Sequence, residues 1–182
     1  MANKILVISG HPNLAISHAN KTILQELEKS KLNLEIRDLG ALYPYKPIDV
    51  QAEQAALIKA NTVVLQFPFH WYSVPSPLTK WIEDVIVYNF AYGPEGDKLK
   101  GKNFLLSFTT GGPAEAYTPL GYNHFTVAEF VKPMQQTCYL IGMNYLEPIY
   151  SQGMNTAKGE EVVIKKAKEH ASRLIKTLEK LS

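Results

Sequence analysis

Residues 4–8 read Lys-Ile-Leu-Val-Ile, residues 62–67 read Thr-Val-Val-Leu-Gln-Phe, and residues 103–108 read Asn-Phe-Leu-Leu-Ser-Phe. Short, nearly continuous apolar runs of this kind are typical of parallel strands buried on both faces. Two further stretches have the character of edge strands. Residues 32–37 alternate apolar with polar, and residues 145–149 contain a proline, which cannot donate a ladder hydrogen bond. We therefore predict three central strands and two edge strands.

Helical segments separate these strands, so the chain alternates strand and helix from end to end. The apolar stripes of the first and last helices are, respectively, Ala19, Ile23, Leu24 and Leu27, and Val163, Ala167, Ala171, Leu174, Leu178 and Leu181. With strands 2 and 5 at the edges, the predicted order is 2-1-3-4-5, with helices on both faces. Ligands of open α/β sheets bind at the carboxyl ends of the strands where the order reverses, here between strands 1 and 3. The loops after strands 1, 3 and 4 are therefore the predicted site.

Prolines mark two further helices. The third helix begins after Pro75-Ser76-Pro77 and carries Trp81, Val85 and Tyr88 at helical spacing. Pro133 interrupts the apolar run of residues 125–141, where we predict a break or kink. In the last helix, His170 lies among Lys165, Lys166, Lys168 and Glu169, a pattern that predicts a solvated surface residue.

Length and composition narrow the class of protein. With 182 residues, of which 46% are hydrophobic, the prediction is one domain spanning residues 1–182. The 19 basic and 17 acidic residues are spread along the chain, which disfavours nucleic acid as a partner. No stretch approaches the ~20 apolar residues of a membrane span, and no leader precedes the first strand, so we expect a cytoplasmic protein. The single cysteine, Cys138, lies in an apolar run and is predicted to be buried, as in a reducing compartment.

The loop after strand 1 runs from Ser9 to the start of the first helix near Ser17. A helix N-terminus directly after a central strand offers free N–H groups and a positive dipole end, where a phosphate binds well. The Ser17 hydroxyl and the Asn20 amide are candidate additional donors, although Ser17 can equally be a simple N-cap. The loop contains neither the glycine pattern of a dinucleotide fold nor that of a P-loop.

The loops after strands 3 and 4 suit a flat ring. Residues 67–92 contain eight of the 19 aromatic residues: Phe67, Phe69, Trp71, Tyr72, Trp81, Tyr88, Phe90 and Tyr92. Such a concentration predicts contact with a large, flat ligand or with another subunit. Strand 4 ends in Thr109-Thr110-Gly111-Gly112, whose glycines let the backbone approach a planar ligand closely. One phosphate loop and two ring loops at one sheet edge together favour flavin mononucleotide (FMN).

The same segments carry a resemblance. His11-Pro12 with residues 17–20, residues 69–72 and residues 109–112 are similar to the flavin-binding motifs of the NAD(P)H quinone dehydrogenase (DT-diaphorase-like) family. The chain most resembles the short bacterial branch of glutathione-regulated potassium-efflux ancillary proteins and general stress oxidoreductases. The likeness covers essentially the whole chain and implies a flavodoxin-like fold with a five-stranded parallel sheet.

The resemblance also implies roles for individual residues. The phosphate end would be held by Ser17, His18, Ala19 and Asn20, and the flavin ring by Phe69, His70, Trp71, Tyr72, Thr109, Thr110, Gly111 and Gly112. His11 matches a histidine beside the cofactor. Tyr117 and His124 match a tyrosine and a histidine that stabilise charge on the flavin, with Asn123 as an alternative to His124. The histidines lack metal-ligand spacing, so no metal is expected.

The activity implied is reduction of quinones, or of similar electron-poor aromatics, by NADH or NADPH in a ping-pong reaction. FMN is favoured over FAD because the chain ends soon after its fifth predicted helix, whereas family members that use FAD are longer. The aromatic block and the resemblance together suggest a homodimer with the third helix at the interface and shared active sites. The rival interpretation is a regulatory flavoprotein bound to a membrane potassium-efflux system. The sequence does not distinguish NADH from NADPH as the electron donor.

Overall fold

The computed structural model describes residues 3–181. Within them, one parallel sheet contains β1 (Ile5–Ser9), β2 (Leu34–Asp38), β3 (Thr62–Pro68), β4 (Asn103–Thr109), β5 (Asn144–Tyr145) and β6 (Ile149–Ser151). The order is β2-β1-β3-β4-β5, with β6 also paired to β4. The predicted strand order is therefore confirmed.

The predicted fifth strand is divided in two. Its first part pairs with Asn103 and Phe104, and its second part pairs with residues 107–109 of β4. The interruption falls at residues 146–148, where Pro148 lacks the N–H group that a continuous ladder requires. The prediction of one continuous strand over residues 145–149 was therefore wrong.

Helices cover both faces of the sheet. They are α1 (His18–Glu28), α2 (Leu39–Leu42), α3 (Val50–Lys59), α4 (Ser76–Val85), α5 (Val127–Phe130), α6 (Lys132–Leu140) and α7 (Glu160–Glu179). On one face α1 and α7 pack against Ile5, Val7 and Val64, and on the other α3, α4 and α6 pack against Leu6 and Leu65. Successive side chains along each buried strand point to opposite faces of the sheet, so they pack into two separate cores.

Several helix boundaries follow the predictions. The Ser17 side chain accepts a hydrogen bond from the N–H of Asn20 at 3.0 Å, so Ser17 is the N-cap of α1. The break predicted at Pro133 is confirmed, because α5 ends at Phe130 and Pro133 lies in the first turn of α6. The third predicted helix is α4, which ends at Val85, so Tyr88 is not part of it and is 58% exposed.

The aromatic block is split between core and surface. Phe67, Trp81 and Phe90 are buried, whereas Trp71 and Tyr72 are exposed. The indole N–H of Trp81 donates to the fully buried carboxylate of Glu53, which also accepts from Arg37 and Tyr43. Three of the eight aromatic residues are therefore in the buried core, and the three exposed ones, Trp71, Tyr72 and Tyr88, are left for ligands or partners.

The prediction that His170 lies on the surface was wrong. The residue is fully buried, with Nε2 2.8 Å from the Ser107 hydroxyl and Nδ1 3.0 Å from the Ser151 hydroxyl. Its charged sequence neighbours mislead because they lie on other sides of α7, whereas His170 shares the inward face with Ala167 and Ala171. Burial, with the charge of Arg173, lowers the pKa of His170 to about 3.

Cys138 is buried, as predicted, and burial raises the pKa of its thiol to about 11. Among residues 3–181, no helix is both long and apolar enough to cross a membrane.

The buried histidine makes stability depend on pH. Below its ordinary pKa of 6.5, the unfolded chain binds a proton at His170 that the folded chain does not bind until about pH 3. The free energy of unfolding contributed by His170 is therefore fully present above pH 6.5 and falls as the pH is lowered. Between pH 6.5 and 5 we expect a loss of roughly 1–2 kcal/mol, measured by urea unfolding. The variant His170→Asn should lack this loss, and the exposed-site control His124→Asn should keep it; equal slopes in all three proteins would contradict the prediction.

Candidate active site

A cavity of about 300 Å³ opens at the carboxyl ends of β1, β3 and β4. Most of the predicted binding residues line it: His11, Ser17, His18, Ala19, Asn20, Phe69, His70, Thr109, Thr110 and Gly111. The loops after the three central strands therefore converge, as the topology predicts. Trp71, Tyr72, Gly112, Tyr117 and His124 do not line this cavity.

The N-terminus of α1 forms the wall of the cavity best suited to an anion. The side chain of Ser17 is engaged as the helix cap, accepting from Asn20. Within the described residues, the structure shows no acceptor for the N–H groups of His18 and Ala19. Orphan N–H groups at the positive end of a helix dipole attract a phosphate.

The Asn20 side chain is buried rather than free. Its Oδ1 accepts from Gln66 at 2.8 Å, and its Nδ2 lies 3.2 Å from the hydroxyl of Thr109. One of its two amide hydrogens is thus committed to Thr109, which itself lines the cavity. Asn20 and Thr109 therefore line the cavity as a hydrogen-bonded pair.

The two loop histidines lie edge to face, with ring centroids 6.4 Å apart. Nδ1 of His11 accepts from the N–H of Asn13 at 3.1 Å. Burial, with the adjacent His70, lowers the pKa of His11. His11 is therefore neutral near pH 7 with its hydrogen on Nε2, and can donate a hydrogen bond without carrying charge. In residues 3–181 no group of three or more His, Cys, Asp or Glu side chains is arranged to hold a metal.

A strained hairpin follows β3. His70 and Ser73 exchange backbone hydrogen bonds of 3.0 and 3.1 Å, and between them Trp71 and Tyr72 have φ values of 50° and 64°. A two-residue hairpin with both central φ values positive normally contains Asn-Gly or Gly-Gly, because side chains are disfavoured there. Two bulky aromatic residues in this position store strain of the kind found at functional sites.

Beside the hairpin, Tyr72 and Asn123 form a partly buried polar contact close to Tyr117. Asn123 is 8% exposed and its Oδ1 accepts from the hydroxyl of Tyr72 at 3.2 Å. Burial raises the pKa of Tyr117, partly offset by hydrogen bonds with Thr110 and Asn123. His124 is exposed and has a φ of 63°, so it is Asn123 that the chain turns toward Tyr117 and Tyr72.

The two glycines after β4 differ in their surroundings. A Cβ added to Gly112 would lie 3.1 Å from the ring of Tyr117 and 3.0 Å from the hydroxyl of Tyr122. A Cβ added to Gly111, which lines the cavity, would meet no atom within 4 Å. Gly112 thus makes room for the tyrosines, and the cavity-lining backbone at Gly111 is open to an approaching ligand.

One wall of the cavity is formed by residues that were not predicted from the sequence. Met154, Asn155 and Thr156, from the loop after β6, line it together with Val163. Asn155 donates to the carbonyl of Gly111 at 2.8 Å, which ties this loop to the Thr-Thr-Gly-Gly segment. The strand order alone could have predicted this wall, because the loop after the last strand begins at the same end of the sheet as the loops after β1, β3 and β4.

The geometry agrees with comparisons to known proteins. A family profile described as flavodoxin-like fold matches residues 3–175, and the chain belongs to that family. General stress protein 14 of Bacillus subtilis (strain 168) is 43% identical over 87% of this chain and 90% of its own. The uncharacterized NAD(P)H oxidoreductase YdeQ of the same organism is 37% identical over 95% of this chain and 85% of its own.

Two further matches bear on ligands and partners. The glutathione-regulated potassium-efflux system ancillary protein KefF of Klebsiella aerogenes is 37% identical over 94% of both chains. A crystal structure of general stress protein 14 from Treponema denticola, in complex with FMN, has a TM-score of 0.86 at 27% identity and covers 97% of this chain and 99% of its own. The resemblance to the short bacterial branch is therefore confirmed.

Relief of the strained hairpin should stabilise the protein. Trp71 is 94% exposed in the single chain, so replacing it removes almost no packing within the subunit, and the comparison is made at concentrations where the protein is monomeric. Because asparagine tolerates positive φ, we expect Trp71→Asn to raise the free energy of unfolding by about 1 kcal/mol. Urea unfolding measures the change. The matched control is Tyr45→Asn, which replaces an exposed aromatic residue with ordinary φ and should leave the free energy of unfolding unchanged. A destabilised Trp71→Asn protein would contradict the strain argument.

Proposed function

We propose that the chain binds FMN in the cavity and uses NADH or NADPH to reduce quinones or similar electron-poor aromatics. The observation that carries the proposal is the meeting, in one cavity, of orphan N–H groups at the start of α1 with the open backbone at Gly111. The FMN complex of general stress protein 14, and the NAD(P)H oxidoreductase among the relatives, support the same function.

The cavity residues fit the two ends of the cofactor. The phosphate would accept hydrogen bonds from the backbone of His18 and Ala19, with Ser17, Asn20 and Thr109 beside it. The ring would lie against the backbone of residues 69–72 and 109–112. The ring of Phe69 is stacked on Phe108, with centroids 4.6 Å apart, so Phe69 would contribute through its backbone rather than its side chain.

When bound, FMN supplies a ring that takes up a hydride from the nicotinamide and delivers two electrons to the acceptor. The protein's part is to hold hydrogen-bond donors where negative charge develops. The raised pKa of Tyr117 keeps its hydroxyl protonated and able to donate. Asn123, by its contacts, and His124, by the family pattern, are alternative partners for Tyr117. Since donor and acceptor would enter through the same opening, we expect ping-pong kinetics.

The testing experiment is an anaerobic absorption titration of the protein with FMN, then NADH or NADPH, then a benzoquinone. We expect flavin bands that bleach with the nicotinamide and return with the quinone. Tyr117→Phe should slow bleaching roughly 10-fold without changing FMN affinity, because a donor used in the transition state is lost. Protein that binds no FMN, or FMN that NADH and NADPH leave oxidised, would overturn the proposal.

Matched variants separate the alternatives for the second donor. Asn123→Ala and His124→Ala are compared in the same bleaching assay, with Tyr122→Phe as the control for Tyr117→Phe. Slowing confined to Asn123→Ala would assign the role to Asn123, and slowing confined to His124→Ala would assign it to His124.

We propose that the protein is a homodimer. Apolar side chains exposed on the hairpin after β3 and on residues 120–125 are Trp71, Tyr72, Leu120, Tyr122 and Phe125. Tyr72 and Phe125 both contact Phe130, with centroids 5.1 and 5.9 Å apart, so part of this surface is contiguous. By contrast, the exposed side of α4 carries Lys80 and Glu83. Exposed aromatic surface of this kind favours a subunit interface next to the active site.

Sedimentation tests the oligomeric state. We expect a dimer at micromolar concentration, and expect Phe125→Asp to shift it toward monomer because a charge would be buried at the interface. The control Tyr139→Asp changes an exposed aromatic residue of α6 and should remain dimeric. A wild-type monomer would contradict the proposal.

A second candidate function is regulation of a potassium-efflux system, which the similarity to KefF favours. The flavin would then be mainly structural, and the protein would work in the cytoplasm at the inner face of the membrane. The two functions are compatible. Co-purification with a potassium-efflux transporter would support the second, and full quinone reductase activity without such a partner would favour the first.

A further inference from the structure

A buried chain of polar side chains runs beneath the cavity. Starting from α7, His170 Nε2 contacts Ser107 of β4 at 2.8 Å, and Ser107 Oγ lies 2.6 Å from Gln66 Oε1 on β3. Gln66 continues through its amide to Asn20, and Asn20 to Thr109. All five residues are at most 4% exposed. The last two line the cavity, so the chain connects α7 with the ligand space.

The other side of His170 leads to an arginine. Ser151 Oγ lies 3.0 Å from Nδ1 of His170 and accepts from the guanidinium of Arg173 at 2.8 Å. A guanidinium can only donate, so the hydroxyl hydrogen of Ser151 is available for Nδ1. On the opposite side, Ser107 gives its single hydrogen to Gln66, so the imidazole, kept neutral by burial, carries its hydrogen on Nε2 and donates it to Ser107.

The later hydrogen bonds have the direction that matches this tautomer. Ser107 accepts from Nε2 of His170 and gives its single hydrogen to Oε1 of Gln66. The amide nitrogen of Gln66 must then face Asn20 Oδ1, so the amide nitrogen of Asn20 faces Thr109. Since Thr109 accepts from Asn20, its own hydroxyl hydrogen is free to point elsewhere. Each link donates toward the cavity.

We propose that His170 is a positioning residue for anion binding: its directed hydrogen-bond chain presents Asn20 and Thr109 as donors to the phosphate of FMN. The inference rests on the proposed flavin function. Without the chain, the Gln66 and Asn20 amides could reverse, and Oδ1 of Asn20 would then face Thr109 and the phosphate in place of an N–H donor. If His170 only stabilised the fold, its replacement would lower the free energy of unfolding. It would not change which atoms of Asn20 and Thr109 face the cavity.

The test compares FMN with riboflavin, which lacks the phosphate, by fluorescence titration of flavin-free protein. We expect His170→Leu to weaken FMN binding roughly 10-fold, because hydrogen bonds to an anion are strong, and to leave riboflavin binding unchanged. Ser107→Ala, which cuts the same chain with a smaller change of shape, should have the same effect. The control Thr62→Val removes a buried hydroxyl at the opposite end of β3 and should change neither affinity.

A double-mutant comparison tests whether His170 acts through Asn20. In an Asn20→Ala background, Ser107→Ala should no longer change FMN affinity, because the chain has lost its link to the cavity. In flavin-free wild-type protein, nitrogen-15 NMR should find His170 neutral with hydrogen on Nε2. An unchanged FMN affinity in Ser107→Ala, an equal loss for riboflavin, or hydrogen on Nδ1 would overturn the inference. Wild-type protein that fails to bind FMN would instead overturn the proposed function.

Discussion

The burial of β1, β3 and β4 on both faces is the constraint on which the rest of the structure depends. Three parallel apolar strands must be covered on two sides, and parallel strands can be joined only by crossovers. These crossovers bring the strand ends, and the loops that follow them, to one edge. The cavity is a consequence of this arrangement rather than an addition to it.

Polar residues inside this apolar sheet need partners, and they obtain them from a helix. Ser107 and Gln66 lie in central strands, and His170 satisfies Ser107 from α7. The sequence could not reveal this, because a histidine among lysines has the pattern of a surface residue. Only the register of α7 against the sheet distinguishes the inward position from its neighbours.

The strand order, the helix boundaries at Ser17 and Pro133, and the location of the cavity were predictable, because each depends on local pattern or on topology. What could not be predicted depends on backbone turns. Positive φ at His124 decides that Asn123 faces Tyr117, and positive φ at Trp71 and Tyr72 takes these rings out of the cavity lining. Such angles in bulky residues contradict local preference, so a prediction based on residue type does not find them.

The interruption between β5 and β6 has a consequence for association. Residues 146–148, with Pro148, leave this edge of the sheet without a continuous row of donors and acceptors. An uninterrupted edge strand would act as a template for another chain, and growth by strand addition leads to fibrils. The divided strand therefore disfavours strand addition at this edge, whereas β2 at the opposite edge is continuous.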